Sequence, residues 1–263
     1  MKRFLLSTLF VMLSIFLIGC SDTNKNTDAT DQETPEAEIL VSAAASLTDA
    51  LEDLKADFEK ANEGVTVTYN FGSSGKLATN IENGAPSDVF LSASSKDMNE
   101  LEDKGLLIHE SRKDFTENAL VLIAHKDSDS TISSFEEIDP AALDHFAVGE
   151  PESVPVGRYT KETFENLDLW EPLKEKLVLG SDVRQVLTHV EMGNADYGVV
   201  YSSDAFVSDD VKVLAEADTD WHAPIVYPGA VVKDSKHQEA AQQFLDYLTG
   251  AEGKEALQKF GFK

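Results

Sequence analysis

Short runs typical of β-strands alternate with longer helical segments from Ile39 to the end of the chain. Segment 65–71 alternates apolar and polar residues as a strand does, whereas the apolar residues of segment 47–58 recur at helical spacing. Such alternation is typical of a mostly parallel sheet covered by helices. We therefore expect an α/β fold throughout this part of the chain.

The same reasoning predicts the individual elements after Phe71. Strands are expected at Val89–Ala93, Leu120–Ala124, Phe146–Val148, Gly198–Tyr201, Val211–Leu214 and Ile225–Val232. Helices are expected at Lys76–Asn83, Lys96–Lys104, Val156–Leu167, Val183–Met192, Gln238–Leu248 and Ala251–Phe260.

The first 19 residues have the features of an export signal. Lys2 and Arg3 precede an apolar to weakly polar run at 4–18, which is shorter than the roughly 20 residues of a comfortable membrane span. The residues Leu-Ile-Gly-Cys that end at Cys20 resemble the lipobox of bacterial lipoproteins. That resemblance implies cleavage before Cys20, a lipid on its thiol and residence on the extracytoplasmic face of the cell membrane. The alternative is a plain secretory signal with an incidental cysteine.

Residues 20–38 contain many Asp, Asn, Thr and Glu residues and no large apolar side chain, so we expect a disordered acidic tether. Cys20 is the only cysteine, so no disulfide within the chain is possible. The chain has 22 basic and 48 acidic residues, a formal net charge of −26. A protein of this charge repels nucleic acid, which is bound through basic patches.

Four of the strand-to-helix turns contain mostly small, hydroxyl-bearing or Pro/Gly residues: 43–47, 71–75, 154–157 and 180–183. Small side chains allow a ligand to approach the main chain, and the first N–H groups of a helix are free to bind an anion. Each turn also has a purely structural interpretation. Ser46 with Asp49 reads as a helix capping box, and Ser73 and Ser74 could simply begin a helix.

The turns, in order, resemble a known family. The runs AAASLTDAL, FGSSGKLATNIENGAPSDVFLSAS, VGEPESVPVGRYTKE, SDVRQVLTHVEMGNADYGVVYSSDA and the closing FGFK together resemble the molybdate-binding proteins of ABC importers. The resemblance covers nearly all of 39–263. It implies a two-lobed periplasmic-binding-protein-like fold of type II, with a mixed sheet flanked by helices in each lobe and the ligand in the cleft between them.

The resemblance also implies the binding residues. The oxyanion would be held by the hydroxyl and backbone N–H of Ser46 and Ser74, by the backbone N–H of Val156 and Val183, and by the phenol of Tyr201. The family commonly has a smaller residue at the position of Val156, but the main-chain contact should survive. Lobe 1 is expected at 39–117 plus 227–263, and lobe 2 at 118–226.

The implied function is capture of molybdate, and of tungstate, for delivery to a membrane permease by a monomeric protein that is not an enzyme and needs no cofactor. A receptor for sulfate, phosphate or ferric ion remains an alternative within the same fold. An extracytoplasmic serine hydrolase is a further alternative, although no G-x-S-x-G motif is present. Arg158 and Arg184 follow the expected ligand positions closely; they would either supply charge to the anion or lie on a solvated helix face.

Overall fold

The computed structural model describes residues 37–263. The signal peptide expected at 1–19, the lipidated Cys20 and most of the tether expected at 20–38 lie outside the described residues. β1 begins at Ala37, so the last two residues assigned to the tether, Ala37 and Glu38, belong to the fold. Their side chains are not fully buried, and the strand is fixed there by its pairing with Val65 and Thr66, which the local composition does not reveal.

The described residues form ten strands and nine α-helices. The strands are β1 (Ala37–Ala44), β2 (Val65–Gly72), β3 (Val89–Leu91), β4 (Lys113–Glu117), β5 (Leu120–His125), β6 (Phe146–Gly149), β7 (Leu177–Gly180), β8 (Tyr197–Tyr201), β9 (Val211–Glu216) and β10 (Val226–Val231). The helices are α1 (Thr48–Ala61), α2 (Ser74–Glu82), α3 (Ser95–Asp103), α4 (Pro155–Asn166), α5 (Trp170–Leu173), α6 (Val183–Glu191), α7 (Ser202–Phe206), α8 (Gln238–Thr249) and α9 (Ala251–Lys259).

The strands form two five-stranded sheets, ordered β2-β1-β3-β10-β4 and β7-β6-β8-β5-β9. The chain leaves the first sheet between β4 and β5 and returns between β9 and β10. The expectation of two mixed sheets flanked by helices is confirmed. The mostly parallel arrangement is wrong, because β10 and β5 pair antiparallel with their neighbours. Each of these strands is the first one after the chain crosses between the sheets. It therefore begins at the edge of its sheet where the parallel strands end.

Alternate residues of β3 serve two cores in the first sheet. Val89 and Leu91 join the core that includes α1 and α8, where the Phe58 and Phe244 rings pack edge to face at 5.2 Å. Phe90 joins the separate core of α2 and α3. Because successive strand side chains point to opposite faces, the helices cover this sheet on both sides and leave its strand ends for other contacts.

β4, β7, α5 and α7 are elements that the sequence did not predict. β4 reads Lys-Asp-Phe-Thr-Glu, and its three charged residues are exposed, as is common in an edge strand. No helix in 37–263 is long and apolar enough to cross a bilayer.

Candidate functional site

The four small-residue turns come together between the ends of the two sheets. They line a cavity of about 10 Å³, which is roughly the space that one water needs. Its walls are Ala44, Ala45, Ser46, Gly72, Ser73, Ser74, Ala93, Val154, Pro155, Val156, Val183 and Tyr201. Residues that are far apart in the sequence thus form one enclosed site.

All five residues expected to bind the ligand lie in these walls: Ser46, Ser74, Val156, Val183 and Tyr201. Each is at most 4 % exposed. The two serines follow strands of the first sheet, and the other three belong to elements of the second. The structure therefore brings the expected residues together from both sheets; their contact with a ligand stays a prediction.

The cavity walls carry no charged side chain. Three helices begin there: Ser74 is the first residue of α2, Val156 the second of α4 and Val183 the first of α6. The N–H groups of a first helical turn have no acceptor within the helix and carry partial positive charge. The electrostatic character of the site thus comes from main-chain dipoles and hydroxyls.

Ser46 does not form the capping box that its sequence resembles. It lies in a short 3₁₀ turn, Ala45–Leu47, and α1 has no side-chain cap. The Ser46 Oγ instead lies 2.9 Å from the Oη of Tyr227, 181 residues along the chain. A tertiary partner replaces the local one, so the Ser46 side chain is held at the cavity rather than at its own helix.

The side chains of Ser73 and Ser74 make different hydrogen bonds. Ser73 caps α2 by accepting the Lys76 N–H at 3.4 Å, so the prediction that it begins a helix is confirmed. The Ser74 Oγ accepts the N–H of Ala93 at 3.0 Å. A backbone N–H can only donate, so the hydroxyl proton of Ser74 is left for another acceptor.

The Tyr201 hydroxyl is buried at the cavity without a hydrogen-bond partner among the described residues. A buried polar group without a partner costs about 1–3 kcal/mol. Burial raises the pKa of this phenol well above its usual value, and the nearby Tyr227 adds to the shift. Tyr201 therefore remains protonated and presents an unused donor to the cavity.

Tyr227 and Asn118 lie directly behind the site, and no local sequence pattern indicates their role. The Asn118 Nδ2 lies 3.4 Å from the Tyr227 Oη, which is itself bonded to Ser46. The Tyr201 and Tyr227 rings pack edge to face with centroids 5.9 Å apart. Tyr201 and Tyr227 thus contact each other although they are distant in sequence. The Tyr227 hydroxyl already has hydrogen-bond partners in Ser46 and Asn118.

Arg158 and Arg184 are not among the residues of the cavity walls, and ion pairs hold both of them largely buried, so the solvated-face interpretation is wrong; supply of charge to the anion stays a prediction. Arg158 of α4 forms an ion pair with Asp97 of α3. Arg184 of α6 reaches Asp49 of α1 at 2.5 Å. Each arginine joins a helix of the second sheet to a helix of the first. Carboxylates across the cleft attract these arginines away from the cavity.

Two buried carboxylates accompany these arginines. Burial raises the pKa of Asp97, although the attraction of Arg158 opposes that effect. Burial also raises the pKa of Asp204 to about 6, again against the attraction of its arginine, Arg184, whose Nε lies 2.7 Å from Oδ1. Asp204 has no well-directed hydrogen bond to its side chain, so this pair is close but poorly aligned.

Main-chain atoms also bridge the cleft. The N–H of Gly75 donates to the carbonyl of Ser153 at 3.1 Å. A Cβ at position 75 would lie 2.5 Å from that carbonyl oxygen, which is closer than real side chains approach. Glycine is therefore required for the lobes to touch here.

The walls of this cavity hold no histidine, and no group of three or more His, Cys, Asp or Glu in 37–263 could hold a metal ion. A larger depression of about 870 Å³ lies elsewhere on the first sheet and includes Glu38, Asp88 and Asp234 in its walls. Its three acidic side chains outnumber its one lysine, Lys236, so it is less suited to an anion than the uncharged cavity.

The family model described as bacterial extracellular solute-binding protein matches residues 39–263. The chain belongs to this family.

Three similar proteins illustrate the relationship. This solute-binding protein is 42 % identical to YvgL of Bacillus subtilis, a candidate ABC transporter substrate-binding lipoprotein, over 97 % of each chain. It is 41 % identical to the molybdate-binding protein ModA of Haemophilus influenzae, over 86 % of this chain and 90 % of that one. The solved periplasmic molybdate-binding protein of Azotobacter vinelandii superposes with a TM-score of 0.77 at 25 % identity, over 86 % of this chain and 98 % of that one.

The expected resemblance to molybdate-binding proteins and the two-lobed α/β fold of this solute-binding protein are thus confirmed. Sequence reasoning identified the cavity walls through the turn composition and the family motifs. It missed the groups behind the walls, because Tyr227 and Asn118 carry no local pattern that would single them out.

Proposed function

We propose that this solute-binding protein is the substrate-binding component of an ABC importer and that it captures molybdate in the cavity between the lobes. Support comes above all from the cavity walls: hydroxyls and three helix N-termini, no charged side chain, and a buried phenol without a partner. We further propose that Ser46, Ser74, Val156, Val183 and Tyr201 bind the oxyanion and that tungstate is also accepted.

Neutral donors can hold a dianion. Moving an isolated ion out of water costs tens of kcal/mol by simple solvation arguments, unless donors meet its oxygens. Hydrogen bonds to a charged acceptor contribute about 1.5–3 kcal/mol each, and a helix N-terminus adds about 0.3–2 kcal/mol. Several such contacts together offset the cost without a buried Lys or Arg, which explains how so acidic a protein can bind an anion.

The walls also favour an anion that carries no proton. Hydrogen phosphate would need an acceptor for its own O–H, and no carboxylate lines this cavity. The five proposed binding residues are at most 4 % exposed, so the lobes must separate to admit an oxyanion from solvent. We propose lobe 1 at 39–117 plus 227–263 and lobe 2 at 118–226 as the bodies that move.

Calorimetry on the purified chain tests the proposed ligand. Molybdate and tungstate should each give one saturable binding heat, and sulfate and phosphate should give much weaker binding or none. Heat with sulfate or phosphate but not with molybdate would reject the proposal in favour of another oxyanion receptor.

We also propose that the chain is anchored by a lipid on Cys20 to the extracytoplasmic face of the cell membrane, as a monomer that delivers its ligand to a membrane permease. The family is extracellular, and YvgL is described as a lipoprotein. A lipid anchor would keep the binding domain at high local concentration near the permease.

Labelling cells with an alkyne fatty acid tests the anchor. The parent chain should become labelled and sediment with membranes, whereas Cys20→Ala should do neither. Equal labelling of both chains would show that another site or no site is acylated.

A further inference from the structure

The side-chain amide of Asn118 is fixed by its surroundings. Its Oδ1 lies 2.9 Å from the N–H of Ala119 and 2.8 Å from the hydroxyl of Ser202. Because a backbone N–H can only donate, the amide atom facing Ala119 must be the oxygen. The Nδ2 therefore points the other way, toward the Tyr227 Oη at 3.4 Å and the Ser203 Oγ at 2.8 Å.

This orientation fixes the direction of the next hydrogen bond. Tyr227 is fully buried, and the recorded partners of its Oη are Asn118 and Ser46. The Asn118 Nδ2 has no lone pair to offer, so the phenol accepts from it and gives its own proton to the Ser46 Oγ. Burial raises the pKa of Tyr227 well above its usual value, so the proton stays on the phenol.

Ser46 is then left as a donor. Its Oγ accepts from Tyr227 at 2.9 Å, and its side chain faces the cavity at 2 % exposure. Among the described residues this hydroxyl proton has no second partner, so it is available to a ligand in the cavity. Ser74 reaches the same state by a separate route, through the N–H of Ala93.

We propose that Asn118 and Tyr227 are positioning residues that hold the Ser46 hydroxyl as a donor toward the ligand, and that this donor chain, Asn118 to Tyr227 to Ser46, helps the site select oxyanions without a proton. The inference rests on the proposed function and adds two residues that need not touch the anion. Without the phenol proton, Ser46 can rotate and accept a hydrogen bond from a protonated ligand.

A double-mutant cycle tests the donor chain. Molybdate affinity is measured by calorimetry on the full chain for the parent, Tyr227→Phe, Ser46→Ala and the double variant. Tyr227→Phe should weaken molybdate binding about five- to thirtyfold in the parent, because the Ser46 hydroxyl is no longer held as a donor toward a buried charge. In the Ser46→Ala background the same change should weaken binding less than about twofold. An equal loss in both backgrounds, or no loss in the parent, would overturn the proposal.

Competition experiments test the selectivity. At pH 8, sulfate and hydrogen phosphate have similar charge and shape but differ by one proton. Each is titrated against bound molybdate, and the sulfate-to-phosphate preference should fall at least about fivefold in Tyr227→Phe. An unchanged preference, including failure of phosphate to compete with either protein, would overturn the selectivity.

The matched control is Tyr69→Phe, which removes another phenol hydroxyl, bonded to the carbonyl of Leu51 at 2.9 Å and outside the cavity walls. Its molybdate affinity should equal that of the parent.

If Tyr227→Phe fails to fold, as judged by circular dichroism, Asn118→Asp takes its place, because a carboxylate would accept the Tyr227 proton and reverse the donor chain. The loss of molybdate affinity caused by Asn118→Asp must be smaller in the Ser46→Ala background than in the parent, and an equal loss would overturn the proposal. If the parent does not bind molybdate, the proposed function is rejected. If the parent binds molybdate but the effects of Tyr227→Phe and Ser46→Ala simply add, only the donor chain is rejected.

Discussion

At the scale of single residues, the hydroxyls at the cavity differ in whether they already have a hydrogen-bond partner within the protein. Ser74 accepts from Ala93 and Ser46 contacts Tyr227, so each hydroxyl is held in place from behind. Tyr201 has no such partner. The residues therefore differ in what they contribute without a ligand, which separates the consequences of removing them.

Ser46→Ala and Ser74→Ala should each weaken molybdate binding by about 1–3 kcal/mol, because a buried charged oxygen loses a donor. Calorimetry measures the change. Ser87→Ala, a buried serine bonded to Ser42 and outside the cavity walls, is the control and should leave the affinity unchanged. Parent-like binding by both test variants would show that the anion lies elsewhere.

Tyr201→Phe should weaken molybdate binding by about 1–3 kcal/mol and yet leave the ligand-free protein as stable as the parent or more so. The hydroxyl has no partner in the protein, so its loss removes an unsatisfied buried group. Calorimetry gives the first quantity and urea unfolding without ligand gives the second. A large loss of stability would mean that the hydroxyl has a structural partner instead.

Single residues also show what the sequence could not reveal. The walls follow from local composition and family motifs, since Ser74 and Val183 each begin a helix that the pattern predicts to within two residues. The partner of Ser46 depends on a contact across 181 residues, and a local rule gave the wrong one. Arg158 was misread for the same reason, because its carboxylate lies on another helix.

At the scale of elements, the helix starts both form the site and join the lobes. The N-terminal turn of α2 carries Ser74 and, next to it, the Gly75 N–H that reaches Ser153. Arg158 and Arg184 follow the expected anion-binding positions on α4 and α6 and reach α3 and α1. The proposed ligand contacts and the observed lobe contacts therefore come from the same short segments.

Gly75→Ala should reduce molybdate affinity at least about tenfold, although alanine by itself favours a helix by roughly 1 kcal/mol. The added Cβ would meet the Ser153 carbonyl oxygen at 2.5 Å and keep the lobes apart. Calorimetry measures the loss. Asn80→Ala, at an exposed position of α2, serves as control, and matching affinities for the two variants would show that close approach at Gly75 is dispensable.

Asp97→Asn should weaken molybdate binding by about 1–2 kcal/mol, since Arg158 would lose the carboxylate that holds α4 against α3. Whether Asp97→Asn weakens or strengthens molybdate binding distinguishes two roles of Arg158. If the arginine instead supplied charge to the anion, removing a competing carboxylate would strengthen binding. Calorimetry at low and moderate salt decides, and tighter binding by the variant would contradict the ion pair as a clasp.

At the scale of the whole molecule, the two sheets each contribute walls to a cavity that is nearly closed to solvent, since its five expected binding residues are at most 4 % exposed. The chain crosses between the sheets twice, near Asn118 and before Tyr227, so rotation about those crossings is the simplest way to open it. The family resemblance predicted the two mixed sheets, whereas the local pattern predicted mostly parallel strands and missed β4 and β7. That pattern could not predict the antiparallel strands, because direction is set by the crossing and not by composition.

Small-angle scattering should show a larger radius of gyration for the ligand-free protein than for the molybdate complex. Hinge closure around a ligand is the physical reason, and the Gly75→Ala variant should stay closer to the ligand-free value at saturating molybdate. Identical profiles for the parent with and without molybdate would show that the lobes do not close on binding.

The uncharged walls of the cavity have a consequence for the kinetics of capture. An approaching anion finds no local positive side chain in those walls, so at a distance it experiences mainly the field of a protein with a formal net charge of −26. Dissolved salt screens that repulsion over about 10 Å at 0.1 M. Association should therefore speed up as ionic strength rises, the reverse of the steering by opposite charge that many receptors use.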